Sequence, residues 1–93
     1  MPASEPREYA YLDVPPAREF RPCVGLMLAG MAARARIGVG GLEEAVDLLE
    51  QLHSEDGPTR YRFSLIEDGV LAEVEEAPGS GEERWRTVVE LVS

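Results

Sequence analysis

The chain has 93 residues, a hydrophobic fraction of 44% and a formal net charge of −9. A length of this order is enough for one domain with its own core, without a metal or a disulfide framework. The excess of carboxylates repels phosphate backbones and anionic lipid heads, so we expect neither nucleic acid nor a membrane as a partner. The single cysteine, Cys23, cannot form an internal disulfide, and the polar N-terminus does not resemble a secretory leader, so the expected location is a reducing cytoplasm.

The first predicted elements are a strand and a helix. Residues 1–7 are polar and contain two prolines, which predicts a flexible tail before a single domain over residues 8–93. Residues 8–14 contain two tyrosines, a leucine and a valine, which is typical of a strand, and Pro15 and Pro16 end it. Residues 17–36 place apolar side chains three and four positions apart, which predicts a helix.

The middle of the chain predicts a second helix followed by a hairpin. Residues 38–41 form a glycine-rich linker, and an amphipathic pattern with acidic outer positions begins at Leu42. The turn cluster at residues 54–58 ends that helix. Residues 60–65 and 70–75 then alternate in polarity on either side of Asp68 and Gly69, which is the pattern of a β-hairpin.

The last segment, residues 82–93, fits two patterns. Ser80 followed by Glu83 has the spacing of a capping box, which would begin a helix. Helical spacing is found at Trp85, Val88, Val89 and Val92. Strand alternation is found at Trp85, Thr87, Val89 and Leu91. We favour the helix.

The predicted order is therefore β-α-α-β-β-α, an α+β two-layer sandwich. The helices would pack on one face of a small mixed or antiparallel sheet. The other face would be uncovered, and Tyr9, Tyr11 or Leu71 would be exposed on it. Such a face favours self-association or the binding of a partner.

Three segments carry a resemblance to a known family: VPPAR at residues 14–18, LAGMAARA at 28–35 and LEEAVD at 42–47. They are followed by the predicted hairpin and by a proline-glycine loop. In composition and in order they resemble bacterial anti-sigma regulatory factors, the serine kinases of the GHKL ATP-binding superfamily. The resemblance implies the fold of that family and a role in regulatory protein binding.

The residues that the family uses for phosphoryl transfer are replaced in this chain. The resemblance places Leu48 where the family has a catalytic glutamate and Leu52 where it has the asparagine that binds magnesium, and the chain contains no asparagine. In the adenine-binding motif, Glu75 stands for the aspartate and Ala77 for the first glycine, and only Gly79 matches. These five positions are interpreted as a vestigial nucleotide site, with no catalytic residue, no metal and no cofactor.

Other candidate residues have structural explanations. His53 is expected to cap the end of the second helix, where a cation interacts favourably with the helix dipole. Cys23 is interpreted as a buried small side chain and not as a nucleophile. Adjacent acidic residues such as Glu55 and Asp56 do not converge, so we expect no metal site there. Trp85 lies between two arginines and could anchor an interface, although packing on the core is favoured.

The favoured hypothesis is a non-catalytic regulatory or protein-interaction domain that binds a protein partner or forms a homo-oligomer. The alternative is a small-ligand or nucleotide-binding protein of the same fold, with its ligand between the second helix and residues 75–79. The least favoured hypothesis is an active serine protein kinase, because leucine cannot supply the oxygen ligands that a magnesium ion requires.

Overall fold

The computed structural model describes residues 9–36, 40–76 and 84–92. A strand and two helices are followed by three strands: β1 (Tyr9–Val14), α1 (Cys23–Arg34), α2 (Leu42–Gln51), β2 (Thr59–Ile66), β3 (Gly69–Glu76) and β4 (Arg84–Val92). The strands form one antiparallel sheet in the order β1-β2-β3-β4. The α+β class is confirmed. The predicted tail over residues 1–7 and the proposed cap at Ser80 and Glu83 lie outside the described residues.

The predicted final helix is wrong, because residues 84–92 form the edge strand β4. The register of β4 against β3 shifts between Ala72 and Glu73, so that Thr87 lies opposite Glu73 and Val89 lies opposite Ala72. Val88 is the extra residue of this bulge. The bulge interrupts the two-residue alternation, and the remaining apolar spacing imitates a helix. Four of the nine residues of β4 are β-branched, and such residues pack well on a pleated surface.

Both helices pack on the same face of the sheet. Tyr61 and Phe63 of β2 point toward the helices and are fully buried, as are Leu28 of α1 and Leu49 of α2. The Tyr61 hydroxyl donates a hydrogen bond of 2.7 Å to the carbonyl oxygen of Leu49. The core also contains Val14, Val24, Met31, Ala45, Val70, Ala72, Val74 and Val89.

The two helices approach each other closely at Gly25. A Cβ atom at this position would lie 3.0 Å from Cγ1 of Val46 on α2, so a larger residue would force the Val46 side chain or one of the helices to move. α1 begins later than predicted, at Cys23 and directly after Pro22, and a single 3-10 turn (Arg18–Phe20) precedes it. Pro22 lacks an N–H group and therefore fits only at such a helix start.

The predicted hairpin is confirmed as β2 and β3, joined by a turn in which Asp68 has a φ of 61°. A short polar side chain tolerates this left-handed conformation. Gly69 is required for a different reason: a Cβ atom there would collide with the backbone oxygen of Leu91 on β4. The absence of a side chain at Gly69 lets β4 pair along the whole length of β3.

The ionisation of Tyr61 makes the free energy of unfolding depend on pH. Burial, and then the negative charge of Glu50, raise the pKa of Tyr61 to about 12 from an ordinary value of 10.0. A raised tyrosine pKa means that the folded state prefers the neutral phenol, so this stability is fully present below pH 10 and is lost as the pH rises toward about 12. The free energy of unfolding is expected to fall by about 2 to 3 kcal/mol over this range.

The Tyr61→Phe variant provides the comparison. It should be less stable at neutral pH by about 1 kcal/mol, because the hydrogen bond to Leu49 is lost. It should also lose less stability between pH 10 and about pH 12. Urea denaturation followed by circular dichroism at several pH values measures both effects. Parallel pH profiles for the two proteins would contradict the assignment to Tyr61.

Candidate functional site

The sheet face opposite the helices is called the open face below. Its residues alternate with the core residues along β1, β2 and β3, whereas on β4 the alternation switches at the bulge. The antiparallel pairing brings them into one surface. They are Tyr9, Tyr11 and Asp13 of β1; Arg60, Arg62 and Ser64 of β2; Leu71, Glu73 and Glu75 of β3; and Trp85, Thr87 and Glu90 of β4. No helix of the described residues packs on this surface.

Aromatic rings from the two edge strands enclose two arginines on β2. The guanidinium carbon of Arg62 lies 4.2 Å from the centre of the Tyr9 ring and 4.5 Å from that of the Trp85 ring. Arg60 lies 4.8 Å from the Tyr11 ring and 5.7 Å from the Trp85 ring. The Tyr11 and Trp85 rings are 5.8 Å apart. Each cation is therefore within the range of attraction of two ring faces.

Glu73 holds Arg62 in place beneath the rings. The Arg62 Nε and Nη2 groups donate hydrogen bonds of 2.7 and 3.2 Å to the two carboxylate oxygens of Glu73. The side chains are only 17% and 9% exposed. The hydrogen bond to Glu73 raises the pKa of the Arg62 guanidinium above its usual value. A fixed, charge-assisted pair of this kind orients the guanidinium for stacking.

The outer part of the open face is accessible to solvent. Tyr11 is 45% exposed. Beside it, Nε of Arg60 lies 3.3 Å from Oδ1 of Asp13, and Nη1 of Arg60 lies 3.7 Å from Oε2 of Glu75. The Asp13 side chain is itself 68% exposed. The open face thus combines an accessible aromatic ring with the solvent-exposed carboxylate of Asp13.

Two of the five positions that were interpreted as a vestigial nucleotide site lie on one cleft, with a volume of about 480 Å³. Leu52, just after α2, and Glu75 of β3 both line it. Leu48 is 49% exposed on α2 and does not line this cleft. Ala77 and Gly79 lie outside the described residues. The structure therefore brings together Leu52 and Glu75, which are far apart in sequence.

Charged groups surround the apolar part of this cleft. Leu52 and Val74 supply hydrocarbon, and the charged residues Arg60, Arg86 and Glu75 also line the cleft. Arg86 also lies 3.7 Å from Glu76. The cleft can accommodate a small molecule that has both an apolar and a charged part.

His53 has a structural role that differs from the predicted cap. It follows α2, is 8% exposed, and its Nε2 atom donates a hydrogen bond of 2.8 Å to the carbonyl oxygen of Pro15. With a carbonyl as the acceptor, Nε2 must carry a hydrogen atom. His53 therefore connects the end of α2 to the turn after β1.

The remaining candidates are Cys23 and the neighbouring acidic residues. Cys23 is half-buried at the first position of α1. Within residues 9–36, 40–76 and 84–92, no group of three or more His, Cys, Asp or Glu side chains could hold a metal ion. In the same ranges, no helix has the length and apolar character needed to cross a bilayer.

Trp85 was favoured as a core residue, and the structure places it on the open face instead. The sequence analysis also missed the pairing of Arg62 with Glu73. The hairpin contained the signal for it: the turn at Asp68 fixes the register, and that register sets Arg62 directly opposite Glu73. Trp85 could not be placed in this way because its position depends on the bulge in β4.

Comparison with protein-family models, with curated proteins and with solved structures finds no match to this chain. A function must therefore be inferred from the chain's own residues.

The Arg62 and Glu73 pair predicts a stability difference between two glutamate variants. Glu73→Gln should lower the free energy of unfolding by about 1 to 3 kcal/mol, because it leaves the covered Arg62 without its charge partner. Glu76→Gln is the matched control, since Glu76 is half exposed and lies 3.7 Å from Arg86. Its effect should stay within about 0.5 kcal/mol. Equal shifts of the urea midpoint for the two variants would argue against a structural role for the pair.

Proposed function

We propose that this chain is a non-catalytic regulatory domain that binds another protein through the open face. Its scaffold is anti-sigma-factor-like and has lost the Mg-ATP motif, and the proposed location is the cytoplasm. The observation that carries the proposal is the cluster of Tyr9, Tyr11 and Trp85 around two arginines. Tyrosine, tryptophan and arginine are the residue types most enriched at protein interfaces and among their energetically dominant positions.

A preformed surface of this kind loses little entropy when a partner binds. Arg62 is already held by Glu73 and by two rings, and the Tyr11 and Trp85 rings are already in contact. Fewer side chains then have to be immobilised on association, which leaves more of the contact energy for affinity. The open face is therefore suited to binding a protein partner, because its aromatic rings and arginines already hold one another in position.

The charge of the protein selects the chemistry of the partner. The formal net charge is −9, and both arginines of the open face are already paired with carboxylates. Although Asp13 lies 3.3 Å from Arg60, its side chain is 68% exposed, so it and the 45% exposed Tyr11 can still be reached by an incoming cation. The proposed partner is therefore a protein segment rich in arginine or lysine, which the negative field of this domain would attract.

The loss of nucleotide chemistry is supported by the positions of the two leucines. Leu48 is exposed on α2, and Leu52 packs against the core and contributes hydrocarbon to the cleft. Magnesium requires oxygen ligands, and neither side chain has one. The family's activity is accordingly not proposed for this chain.

A second candidate function is the binding of a small molecule in the cleft near Leu52 and Glu75. The cleft has a volume of about 480 Å³, which is within the usual range for ligand sites. It also lies between the end of α2 and the end of β3, where the resemblance implies a nucleotide site. This candidate ranks second because the cleft is lined by charges of both signs.

A thermal-shift assay with ATP or ADP separates these functions. At about millimolar nucleotide, with or without magnesium, the melting temperature is expected not to change, because a ligand stabilises the fold only if it binds the folded state. A rise of several degrees that requires magnesium would indicate a functional nucleotide site of the kinase type. A rise that does not require magnesium would favour the small-molecule cleft.

Partner binding is tested by affinity capture from a bacterial extract with three immobilised proteins: the wild type, Tyr11→Ser and Leu48→Ser. Both changes remove an exposed apolar side chain, and only Tyr11 lies on the open face. The wild type and Leu48→Ser should retain a basic protein that Tyr11→Ser loses, and added salt should weaken its retention. Retention of the same proteins by all three, or of acidic proteins only, would contradict the proposed surface and partner.

A further inference from the structure

The outer side of α1, which exposes Leu26, Ala29, Gly30 and Ala33, is apolar although it faces solvent. Leu26 is 76% exposed, the largest value among the exposed large hydrophobic residues of the described chain. α1 carries no charged residue before Arg34, its last position. A surface helix of a globular protein normally has charged or polar residues on its solvent side. The outer side of α1 therefore has the composition of a covered surface.

Gly30 lies one turn after Leu26 and forms a depression beside it. A Cβ atom at Gly30 would meet no other atom within 4 Å, so no contact within the described chain requires a glycine there. Glycine inside a helix is destabilising relative to alanine. Residues four positions apart are neighbours on a helix surface. Leu26 is thus a protrusion next to an open space of the same helix.

The distribution of acidic residues on the two helices indicates which surface a second copy of the chain can contact. Two copies of a protein with a net charge of −9 repel each other wherever their carboxylates meet. The adjacent helix α2 has Glu43, Glu44, Asp47 and Glu50, whereas α1 has no acidic residue. The outer side of α1 is therefore the helical surface on which two copies can touch without placing carboxylates opposite one another.

The two ends of α1 are complementary in charge. Arg34 is exposed at the C-terminal end and forms no ion pair within residues 9–36, 40–76 and 84–92. At the N-terminal end, a cleft of about 510 Å³ is lined by Arg21, Asp47 and Glu50. An antiparallel arrangement of two α1 helices would bring Arg34 of one copy toward the two carboxylates of the other.

We propose that the outer side of α1 is the contact between two copies of this chain, related by a two-fold axis. An axis that crosses α1 midway between Leu26 and Gly30 sets each Leu26 over Gly30 of the other copy. Such an isologous contact uses the same residues on both sides, so one protrusion and one depression are sufficient. It leaves both open faces pointing outward.

The dimensions permit a contact of moderate size. The protein measures 42 × 32 × 15 Å, so each broad side exceeds the roughly 800 Å² that one partner contributes to a standard interface. α1 occupies only part of that side, which predicts a reversible dimer. With a net charge of −9 on each copy, the overall repulsion outweighs the attraction of each Arg34 for the carboxylates of the other copy, so added salt should strengthen this dimer. It should weaken the binding of a basic partner on the open face.

Sedimentation equilibrium of the full chain, over a roughly hundredfold range of protein concentration, tests the proposal. The wild type should show a monomer-dimer equilibrium that shifts toward the dimer with added salt. Leu26→Asp should weaken dimerisation by about tenfold or more, because it places a carboxylate in the contact of each copy. Leu48→Asp is the control: it adds the same charge at an exposed leucine of α2 and should have a much smaller effect.

Gly30→Ala keeps the test decisive if Leu26→Asp does not fold. Alanine should raise the melting temperature of the monomer, since it has space and favours the helix. It should at the same time weaken the dimer by filling the depression. A wild type that stays monomeric at all concentrations and salt levels, or a dimer that both α1 variants leave unchanged, would overturn the proposal.

Discussion

The constraint behind this structure is that one layer of helices covers only one face of a sheet. Tyr61 and Phe63 are buried because α1 and α2 lie over them. The opposite face has no such layer within the described chain, and it is covered by its own side chains. Arg62 lies between the Tyr9 and Trp85 rings and is neutralised by Glu73. The aromatic rings shield the Arg62 and Glu73 pair from water, so this sheet face is stable although no second layer covers it.

Local patterns in the sequence were sufficient for α2 and for the hairpin. The period of α2 and the alternation around Asp68 each depend on neighbouring residues only. β4 was predicted incorrectly because of its bulge at Val88: residues before and after the bulge follow opposite alternations between the two sheet faces. Trp85 then points to the open face and Val89 to the helices, a division that no single periodicity describes.

The candidate sites depend on long-range placement to different degrees. The pairing of Arg62 with Glu73 follows from the hairpin register and could have been predicted from the sequence. The approach of Tyr11 to Trp85 joins the two edge strands and needs the complete sheet order. The cleft shared by Leu52 and Glu75 likewise requires the exit of α2 to lie beside β3. The family resemblance implied one ligand site between the second helix and residues 75–79, whereas the local sequence patterns contain no signal that Leu52 and Glu75 meet.

The connectivity of the sheet has a consequence for the order of folding. β2, β3 and β4 are consecutive in the chain, whereas both helices separate β1 from its partner β2. Pairs that are close in sequence lose less loop entropy when they form, so the three-stranded meander is expected to form before β1 docks. β1 carries Tyr9 and Tyr11. The open face is therefore completed only when β1 docks, and a chain whose first strand is displaced would keep most of its sheet while losing the two tyrosines of that face.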